Sequence, residues 1–521
     1  MTEVTDLFII GGGVNGCGIA RDAVGRGLSV RLAEMGDLAQ ATSSKSTKLF
    51  HGGLRYLEYL EIRLVREALK ERETLLRAMP HISKPMRFVL PLDPKMTFES
   101  STPVSRIVGM LMPWNKGHRP NFLIRAGLFL YDNLGGRDIL PGTTSLSLKG
   151  TPEGAPLKGG LEKAYEYSDC WVDDARLVAL NARDAAQRGA DIMVDAPVES
   201  ARRDGDLWAI TLADGRVFKA RALVNAAGPW AGKVIHDVVH LDSRESVRLV
   251  RGSHIVTPRL YDHDKAYFFQ GSDGRIIFAI PYERDFTLIG TTDNDFQGNP
   301  LDAECSPAEA EYLCRFASEY FATPVTPDQI VWSYSGVRPL YDDGASSATA
   351  ATREYVLTLD ENGPPCLNVF GGKITTYRRL SEHALEKLER YFPQAGRSWT
   401  AGVPLPGGDF PVGDVGAQID GLERDYPFLG SVWATRLIRA YGTDARNILG
   451  TATSPADLGQ DFGATLTEAE ARWLMMHEFA RRAADVVWRR SKLGLRLSAE
   501  QIAALDNWMA QQHEAACIAQ S

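Results

Sequence analysis

Apolar positions at the start of the chain predict a strand, a helix and a second strand. Residues 6–10, DLFII, form a short apolar run that is typical of a buried parallel strand. Residues 29–33, SVRLA, predict the second strand. Between the strands, apolar positions recur at three- and four-residue steps, as on one face of a helix: Val14, Cys17, Ala20 and Val24.

The turn between the first strand and the helix has a G-x-G-x-x-G pattern formed by Gly11, Gly13 and Gly16. The first glycine permits a tight turn, the second lets the backbone approach a pyrophosphate, and the third lets helix and strand pack closely. The helix N-terminus presents N–H groups and a positive dipole end to phosphates. Glu34, at the end of the second strand, can accept hydrogen bonds from ribose hydroxyls. The unit predicts a site for FAD or NAD, with a purely structural turn as the alternative.

A long polar loop, residues 36–56, follows the second strand and favours FAD. A plain NAD domain would continue with further strand–helix repeats, and long loops without secondary structure are uncommon unless they are functional. A loop that leaves the second strand here can reach along an extended FAD toward the flavin ring.

Two further segments near the N-terminus have helical periodicity. In residues 56–78, charges between the apolar positions indicate a helix with a solvated face. Residues 95–137 mix apolar, aromatic and basic side chains, which fits either a helical hairpin packed on the core or a membrane-surface patch. Farther along, Asp173 or Asp174 can cap a helix.

The remaining pattern predicts two more structural units. Residues 248–340 contain many short strands separated by Gly, Pro and Asp, which suggests an antiparallel sheet in a substrate domain. Residues 366–380 repeat the strand, double glycine, helix order, and the Pro/Gly-rich linker 404–411 precedes a helical end. Capping boxes are predicted at Thr467 with Glu470 and at Ser498 with Gln501.

The predicted fold class is α/β, with a Rossmann-like FAD-binding domain, an inserted antiparallel-sheet substrate domain and a C-terminal helical domain. The predicted limits are 1–80 with 150–230 and 350–395 for the FAD-binding domain, 81–149 with 231–349 for the substrate domain, and 396–521 for the helical domain.

Composition narrows the class of protein. The 521 residues suffice for several domains, and a formal net charge of −8 argues against a nucleic-acid binder. The six cysteines are scattered without a C-x-x-C pair, which fits reduced thiols and gives no metal cluster. No secretory signal is recognised, and no run of about 18 apolar residues predicts a spanning helix.

Five stretches of the sequence carry the motifs of a known family: IIGGGVNGCGIARDAVGRGLSV, ATSSKSTKLFHGGLRYLE, YSDCWVDDARLV, SYSGVRPL and FGGKITTYRRL. Together they resemble the FAD-dependent glycerol-3-phosphate dehydrogenase family. The resemblance covers essentially the whole chain. It implies oxidation of sn-glycerol 3-phosphate to dihydroxyacetone phosphate, with electrons passing from FAD to a membrane quinone. It also implies a homodimer attached to a phospholipid surface, at the cytoplasmic face of the inner membrane.

The resemblance also implies substrate contacts. Phosphate and hydroxyl binding maps onto Arg55, Arg338 and Lys373, with Arg353 and Tyr56 as secondary candidates. His51 and His254 are candidate bases by side-chain chemistry, while Lys373 or Arg338 can hold the developing alkoxide. The sequence does not choose among them.

The cofactor contacts extend beyond the glycine turn. The N–H groups at Gly371 and Gly372 suit the edge of reduced flavin that carries negative charge. Gly52 and Gly53 are interpreted as giving the backbone room beside the flavin. The predicted FAD contacts are Gly11, Gly13, Asn15, Gly16, Glu34, Thr42, Ser43, Ser44, Lys45, Gly52, Gly53, Val198, Ala227, Gly228, Gly371, Gly372, Lys373, Ile374 and Thr375.

Three alternatives stay open at this point. One is an amine or amino-acid oxidase with the same cofactor fold, and another is a glycerol-3-phosphate oxidase that uses O₂. The third is a non-catalytic flavin- or nucleotide-binding regulator.

Overall fold

The computed structural model describes residues 3–93, 102–111, 120–243, 245–271, 275–342 and 354–520. The strands are β1 Val4–Ile10, β2 Val30–Ala33, β3 Leu49–Phe50, β4 Ser83–Pro91, β5 Thr144–Ser147, β6 Lys163–Val172, β7 Asp191–Met193, β8 Val198–Asp204, β9 Leu207–Leu212, β10 Val217–Asn225, β11 Val247–Pro258, β12 Ala266–Gln270, β13 Ile276–Tyr282, β14 Phe286–Gly290, β15 Asn294–Asp295, β16 Trp332–Tyr341, β17 Val356–Asp360, β18 Cys366–Phe370, β19 Asp461–Gly463 and β20 Leu466–Thr467. The helices are α1 Val14–Gly25, α2 Ile62–Ala78, α3 Pro103–Leu111, α4 Asn121–Leu134, α5 Asp174–Gln187, α6 Ala231–Lys233, α7 Pro307–Tyr320, α8 Tyr377–Leu388, α9 Val415–Asp425, α10 Gly430–Tyr441, α11 Ala445–Leu449, α12 Glu468–His477 and α13 Ala499–Gln520.

The first sheet has the order β17-β18-β10-β1-β2-β7, with β9 and β8 attached at β10. The strands β18, β10, β1, β2 and β7 run parallel, which fits their nearly continuous apolar sequences. Helix α1 packs against α5 and α8 on one face. The predicted strand–turn–helix–strand unit is confirmed, and β1 and β10 end together beside the glycine turn.

Within the described residues, the second sheet has ten strands in the order β15-β11-β14-β13-β12-β4-β6-β3, with β16 paired to β11 and β5 to β6. Its pairings are antiparallel except β4 with β12, so the predicted antiparallel sheet is confirmed. Strand β6 lies in this sheet, although the sequence placed residues 150–230 in the FAD-binding domain. The domain limits themselves stay a prediction.

Helix α2 differs from the expected solvated helix, because three of its charged side chains are buried: Glu71, Arg72 and Glu73. Each has a specific partner. Glu71 pairs with Arg378 at 2.6 Å, and Arg72 pairs with Asp169 at 2.6 Å. Glu73 accepts hydrogen bonds from the backbone N–H groups of residues 138–140. The sequence of a helix shows its charges but not their partners. Because these partners lie on distant segments of the chain, the burial of the charges could not be predicted from the helix alone.

The C-terminal part is helical, with α9 to α13 around their own apolar core and a short hairpin of β19 and β20. Buried ion pairs join this part to the rest of the chain: Arg490 to Asp37 at 2.7 Å, and Arg176 to Glu478. Ser498 and Gln501 form the predicted capping box, whereas the Thr467 side chain makes no capping bond. Among the described residues, no helix is both long enough and apolar enough to span a bilayer.

Candidate active site

The glycine turn forms one end of a cavity of about 770 Å³ between the two sheets. Gly11 has φ +113°, and a Cβ there would lie 2.5 Å from the Ala226 carbonyl oxygen. A Cβ on Gly16 would lie 1.9 Å from the Gly11 oxygen, so this position tolerates no side chain. The first and third glycines therefore have the packing roles that the pattern predicts.

Glu34 lies in the cavity wall beside this turn. Its Oε2 accepts a hydrogen bond from the Gly12 N–H at 2.6 Å, and its Oε1 accepts one from the Gly36 N–H at 3.0 Å. Burial raises the pKa of this carboxyl group, and the two backbone donors oppose the shift. The carboxylate is thus held in place with further lone pairs available to a ribose.

Asp174, at the start of α5, fixes the loop that follows β2. Its Oδ2 accepts hydrogen bonds from the Ser46 hydroxyl at 2.7 Å and the Ser46 N–H at 3.1 Å. Its Oδ1 lies 2.8 Å from the buried Lys48 Nζ. The helix cap itself is Asp173, which accepts from the Arg176 N–H. The sequence allows either aspartate as the cap. In the structure Asp173 is the cap, and Asp174 binds Ser46 and Lys48 of the loop instead.

The same loop also lies against strand β16. The Thr42 hydroxyl donates to the Val337 carbonyl at 2.6 Å, and the Tyr334 hydroxyl donates to the Ser46 carbonyl at 2.8 Å. The Ser43 hydroxyl accepts the Val14 N–H at 3.0 Å, at the first residue of α1. The loop is thereby held along the cavity by strand β16 and by the start of α1.

The double glycine after β18 closes the other side of the cavity. Gly371 and Gly372 have φ of +69° and +98°, which favours glycine. Asn15 Nδ2 donates to the Gly371 carbonyl at 3.2 Å, so this turn is tied to the first one. The Oδ1 atom of Asn15 is buried and has no hydrogen-bond partner within the described part of the chain. A ligand donor in the cavity would satisfy it.

Positively charged side chains line the end of the cavity next to the double glycine. Lys373 Nζ lies 3.8 Å above the ring of Tyr56. Arg338 is 2.5 Å from Asp293 and donates to the Thr291 hydroxyl at 3.1 Å. Arg55 also lines this end. The arrangement suits a small anionic ligand.

His51 lies at the same end, with its ring 6.5 Å from that of Phe278. Burial, helped by the nearby positive charges of Lys373 and Arg72, lowers its pKa to about 4. The imidazole is therefore neutral at pH 7 and can accept a proton.

Most of the predicted contacts line this one cavity. Gly16, Gly52 and the buried loop residue Ser44 are not among its lining residues, and Arg353 lies outside the described residues. The lining includes Gly11, Gly13, Asn15, Glu34, Thr42, Ser43, Lys45, His51, Gly53, Arg55, Tyr56, Val198, Ala227, Gly228, Arg338, Gly371, Gly372, Lys373, Ile374 and Thr375.

His254, a candidate base from sequence, is not among the side chains that line the cavity. Its ring is 1% exposed and stacks on Tyr334 at 4.8 Å, and its Nε2 lies 3.0 Å from the Thr47 hydroxyl. Burial lowers its pKa well below the usual value. This environment fits a packed structural histidine.

The glycine pair Gly52–Gly53 is required by packing within the protein, and the flavin contact inferred from sequence stays a prediction. A Cβ on Gly52 would lie 2.5 Å from Leu69 and 2.8 Å from the Tyr131 ring. Gly53 has φ +75°, and its Cβ would lie 2.2 Å from the ring of Tyr56. The pair therefore lets the loop pack on its own side chains and on helices α2 and α4.

Sequence reasoning did not single out the buried polar residues beneath this loop. Asp169, Tyr131 and Lys48 were missed, although an aspartate within the apolar strand sequence YSDCWV is a visible signal. A charge in such a run requires a buried partner. Its partner cannot be read from local spacing.

These features together define a dinucleotide-binding protein of the oxidoreductase class, whose cofactor cavity is also lined by cationic side chains. The sequence model described as "FAD dependent oxidoreductase" matches residues 6–378, and that described as "C-terminal domain of alpha-glycerophosphate oxidase" matches residues 398–514. The chain belongs to the FAD-dependent oxidoreductase family, and FAD is its cofactor. The glycine cradle, the held Glu34 and the unsatisfied Asn15 Oδ1 all fit this group.

Three curated relatives align over nearly the full length. D-erythritol 1-phosphate dehydrogenase of Brucella abortus is 48% identical, with 97% of this chain and 98% of the relative covered. Aerobic glycerol-3-phosphate dehydrogenase of Escherichia coli is 46% identical, with 97% of each covered. Glycerol-3-phosphate dehydrogenase of Pseudomonas aeruginosa is 47% identical, with 98% and 96% covered.

Two solved structures have a similar fold. The glycerol-3-phosphate dehydrogenase of Bacillus halodurans, complexed with FAD, matches with a TM-score of 0.74 at 24% identity, over 98% of this chain and 91% of that one. The L-α-glycerophosphate oxidase of Mycoplasma pneumoniae, also with FAD, matches with a TM-score of 0.58 at 16% identity, over 78% and 99%.

Proposed function

We propose that this chain oxidises sn-glycerol 3-phosphate to dihydroxyacetone phosphate as a flavin-dependent dehydrogenase. The observation that carries the proposal is that Arg55, Arg338 and Lys373 line the same cavity as the glycine turn. A phosphate dianion needs several cationic donors, and the planar guanidinium suits it well. The names of the relatives from Escherichia coli and Pseudomonas aeruginosa support the same substrate.

The residues around the cationic part of the cavity have separate roles in the proposed reaction. Bound FAD supplies a hydride acceptor for C2 of the substrate. His51, neutral at pH 7, takes the proton of the C2 hydroxyl. Lys373 and Arg338 hold the phosphate and stabilise negative charge that develops on the C2 oxygen.

A second candidate substrate is D-erythritol 1-phosphate, because the Brucella abortus relative with that activity in its name is 48% identical. Both substrates are phosphorylated polyols, and both would place a phosphate on the same cations. They differ by one hydroxymethylene unit, so the choice depends on the space next to the phosphate site.

An anaerobic titration of the purified flavoprotein tests the function. We expect sn-glycerol 3-phosphate to bleach the flavin absorption band completely, because hydride transfer reduces the bound FAD. D-Erythritol 1-phosphate is the parallel sample, and glycine and D-alanine are the controls. Faster bleaching by the erythritol compound would move the assignment to the second candidate. Bleaching by the amino acids alone would overturn the proposal, and no bleaching by any compound would favour a non-catalytic regulator.

For the electron acceptor we propose a membrane quinone. The reduced protein is mixed either with a soluble quinone analogue or with oxygen, and reoxidation is followed at the flavin band. Fast reoxidation by the quinone with little peroxide supports the dehydrogenase. Fast reoxidation by oxygen with stoichiometric peroxide would make the chain an oxidase instead.

We propose that helices α3 and α4 attach the protein to a phospholipid surface. Met110, Phe122 and Phe129 are 82%, 62% and 66% exposed, far more than packed helices show. Arg106 and Arg125 are exposed on the same two helices. Apolar side chains that enter the headgroup region beside basic ones are typical of interfacial helices.

The double variant Phe122→Ser/Phe129→Ser is expected to abolish most flotation with vesicles of phosphatidylglycerol and phosphatidylethanolamine, because the two exposed rings no longer enter the bilayer. Met476→Ser, at a residue 65% exposed on α12, is the matched control and should float like the parent. Flavin content should be unchanged in both. Equal flotation of the double variant and the parent would contradict the attachment by α4.

The homodimer and the cytoplasmic side of the inner membrane stay predictions of the family resemblance.

A further inference from the structure

A buried chain of hydrogen bonds lies beneath the loop that carries His51. The Gly52 N–H donates to the Tyr131 hydroxyl at 2.7 Å. That hydroxyl donates to both oxygens of Asp169, at 2.8 and 2.9 Å. Arg72 Nη1 donates to Asp169 Oδ1 at 2.6 Å and to the Ser168 carbonyl at 2.7 Å. We call Arg72, Asp169, Tyr131 and the Gly52 N–H the Tyr131 network.

The network joins elements that are far apart in sequence. Arg72 lies on α2, Tyr131 on α4 and Asp169 on β6, and each side chain is 1–2% exposed. Three buried polar groups in one place are costly unless each is fully bonded, and a partly bonded network is worse than an apolar core. Apolar packing alone would have stabilised this region, so the polar groups require another explanation.

The protonation states of Asp169 and Tyr131 determine which group donates each hydrogen bond in the network. Burial raises the pKa of Asp169 to about 6, with Arg72 and the Tyr131 hydroxyl opposing the shift, so the carboxylate is ionised at pH 7. Burial, with Asp169 nearby, raises the pKa of Tyr131 far above its usual value, which keeps its proton on the hydroxyl. Tyr131 therefore donates to Asp169 and offers its lone pairs to the Gly52 N–H.

The end of the network is the peptide next to His51. The His51 N–H is held from the other side by the Thr375 hydroxyl, 3.3 Å away. The Gly52 N–H bond and the contact of Gly52 with the Tyr131 ring fix the following peptide. The backbone on both sides of the His51 side chain is thus tied to residues on other elements.

We propose that Tyr131, oriented by Asp169, is a positioning residue that holds the His51 backbone at the distance from the substrate that proton transfer requires. The proposal rests on the proposed function, in which His51 accepts the substrate proton. Tyr131 itself does not line the cavity, and it acts through Gly52. A displacement of about 1 Å in such a group can lower a rate roughly 10²-fold.

The test is the Tyr131→Phe holoenzyme, which loses one hydroxyl and keeps the ring. The rate of flavin reduction is measured by anaerobic stopped flow over a series of sn-glycerol 3-phosphate concentrations. We expect the limiting rate to fall about 10- to 100-fold, while the apparent Kd of the substrate changes less than about threefold. The rate is expected to change more than the Kd because Arg338 and Lys373, which bind the phosphate in the proposed function, lie on other elements. General loosening of the fold would instead lower flavin content and weaken substrate binding together.

Tyr282→Phe is the matched control, because Tyr282 is buried in the same apolar cluster and its hydroxyl has no hydrogen-bond partner among the described residues. It should keep the parent rate. Asp169→Asn is the second variant, since the amide keeps the size and one acceptor for Tyr131. A double variant that is no slower than the slower single variant would support one connected network.

The outcomes separate this inference from the proposed function. If the parent flavin is not reduced by the substrate, the proposed function fails first. If the parent is reduced and both Tyr131→Phe and Asp169→Asn keep its limiting rate, only the positioning role is overturned. If both variants lose FAD while Tyr282→Phe retains it, the network stabilises the fold and the positioning role is likewise overturned.

Discussion

Replacing His51 with alanine is expected to lower the limiting rate of flavin reduction by about 10²- to 10⁴-fold, the usual contribution of a positioned base. FAD content should stay near that of the parent, because the glycine turn and Glu34 lie on other segments and are unchanged. The measurement is anaerobic stopped-flow reduction by sn-glycerol 3-phosphate, with flavin content read from the absorption spectrum.

The pH dependence sharpens this prediction. The pKa of His51 is lowered to about 4, so its neutral form persists as the pH falls below the usual value near 6.5. Loss of rate from protonation of His51 is therefore expected only as the pH approaches about 4. His236→Ala, at an exposed histidine, is the control and should match the parent. Near-parent turnover of His51→Ala would remove this residue from the mechanism and leave Lys373 or Arg338 as the group that acts on the C2 hydroxyl.

Replacing Gly16 with alanine is expected to yield protein without bound FAD. The added Cβ would lie 1.9 Å from the Gly11 carbonyl oxygen, so the turn and the first residues of α1 must move apart. That movement displaces the backbone on which the pyrophosphate rests, and it removes the close approach that the G-x-G-x-x-G pattern provides. Flavin absorbance per chain, before and after incubation with excess FAD, measures the loss.

Gly416→Ala is the control for this substitution. Gly416 also lies in a helix, α9, and a Cβ there meets no atom within 4 Å. Alanine in an open helical position is expected to stabilise the helix by up to about 1 kcal/mol, with no change in flavin content. Full flavin content in purified Gly16→Ala would show that the clash is relieved without loss of the cofactor site.

Local patterns were sufficient for the features that depend on neighbouring residues. The glycine turn, the strands around it and Glu34 follow from spacing alone, because a dinucleotide requires that backbone geometry within one strand–helix–strand unit. The resemblance of motifs then brought Arg55, Arg338 and Lys373 together, and the structure lines one cavity with all three.

The failures of sequence reasoning have one physical origin. His254 has the side chain of a base, but the pairing of β11 with β14 and β16 buries it against Tyr334, and it is not among the residues that line the cavity. The charges of α2 were interpreted as solvated because their partners, Asp169 and Arg378, are about 100 and 300 positions away in sequence. Side-chain chemistry is visible in a sequence, whereas burial is not.

The sequence by itself determined the cofactor class, the strand–turn–helix unit that binds it and the set of cations available for a phosphate. Only the tertiary structure decided which histidine lines the cavity and why Gly52 and Gly53 must be glycines. It also decided which residues hold the loop that contains this glycine pair. Hydrophobic period and glycine spacing are local properties of the chain. The hydrogen bonds from Gly52 to Tyr131 and from Tyr131 to Asp169 exist only after α4 and β6 have packed together.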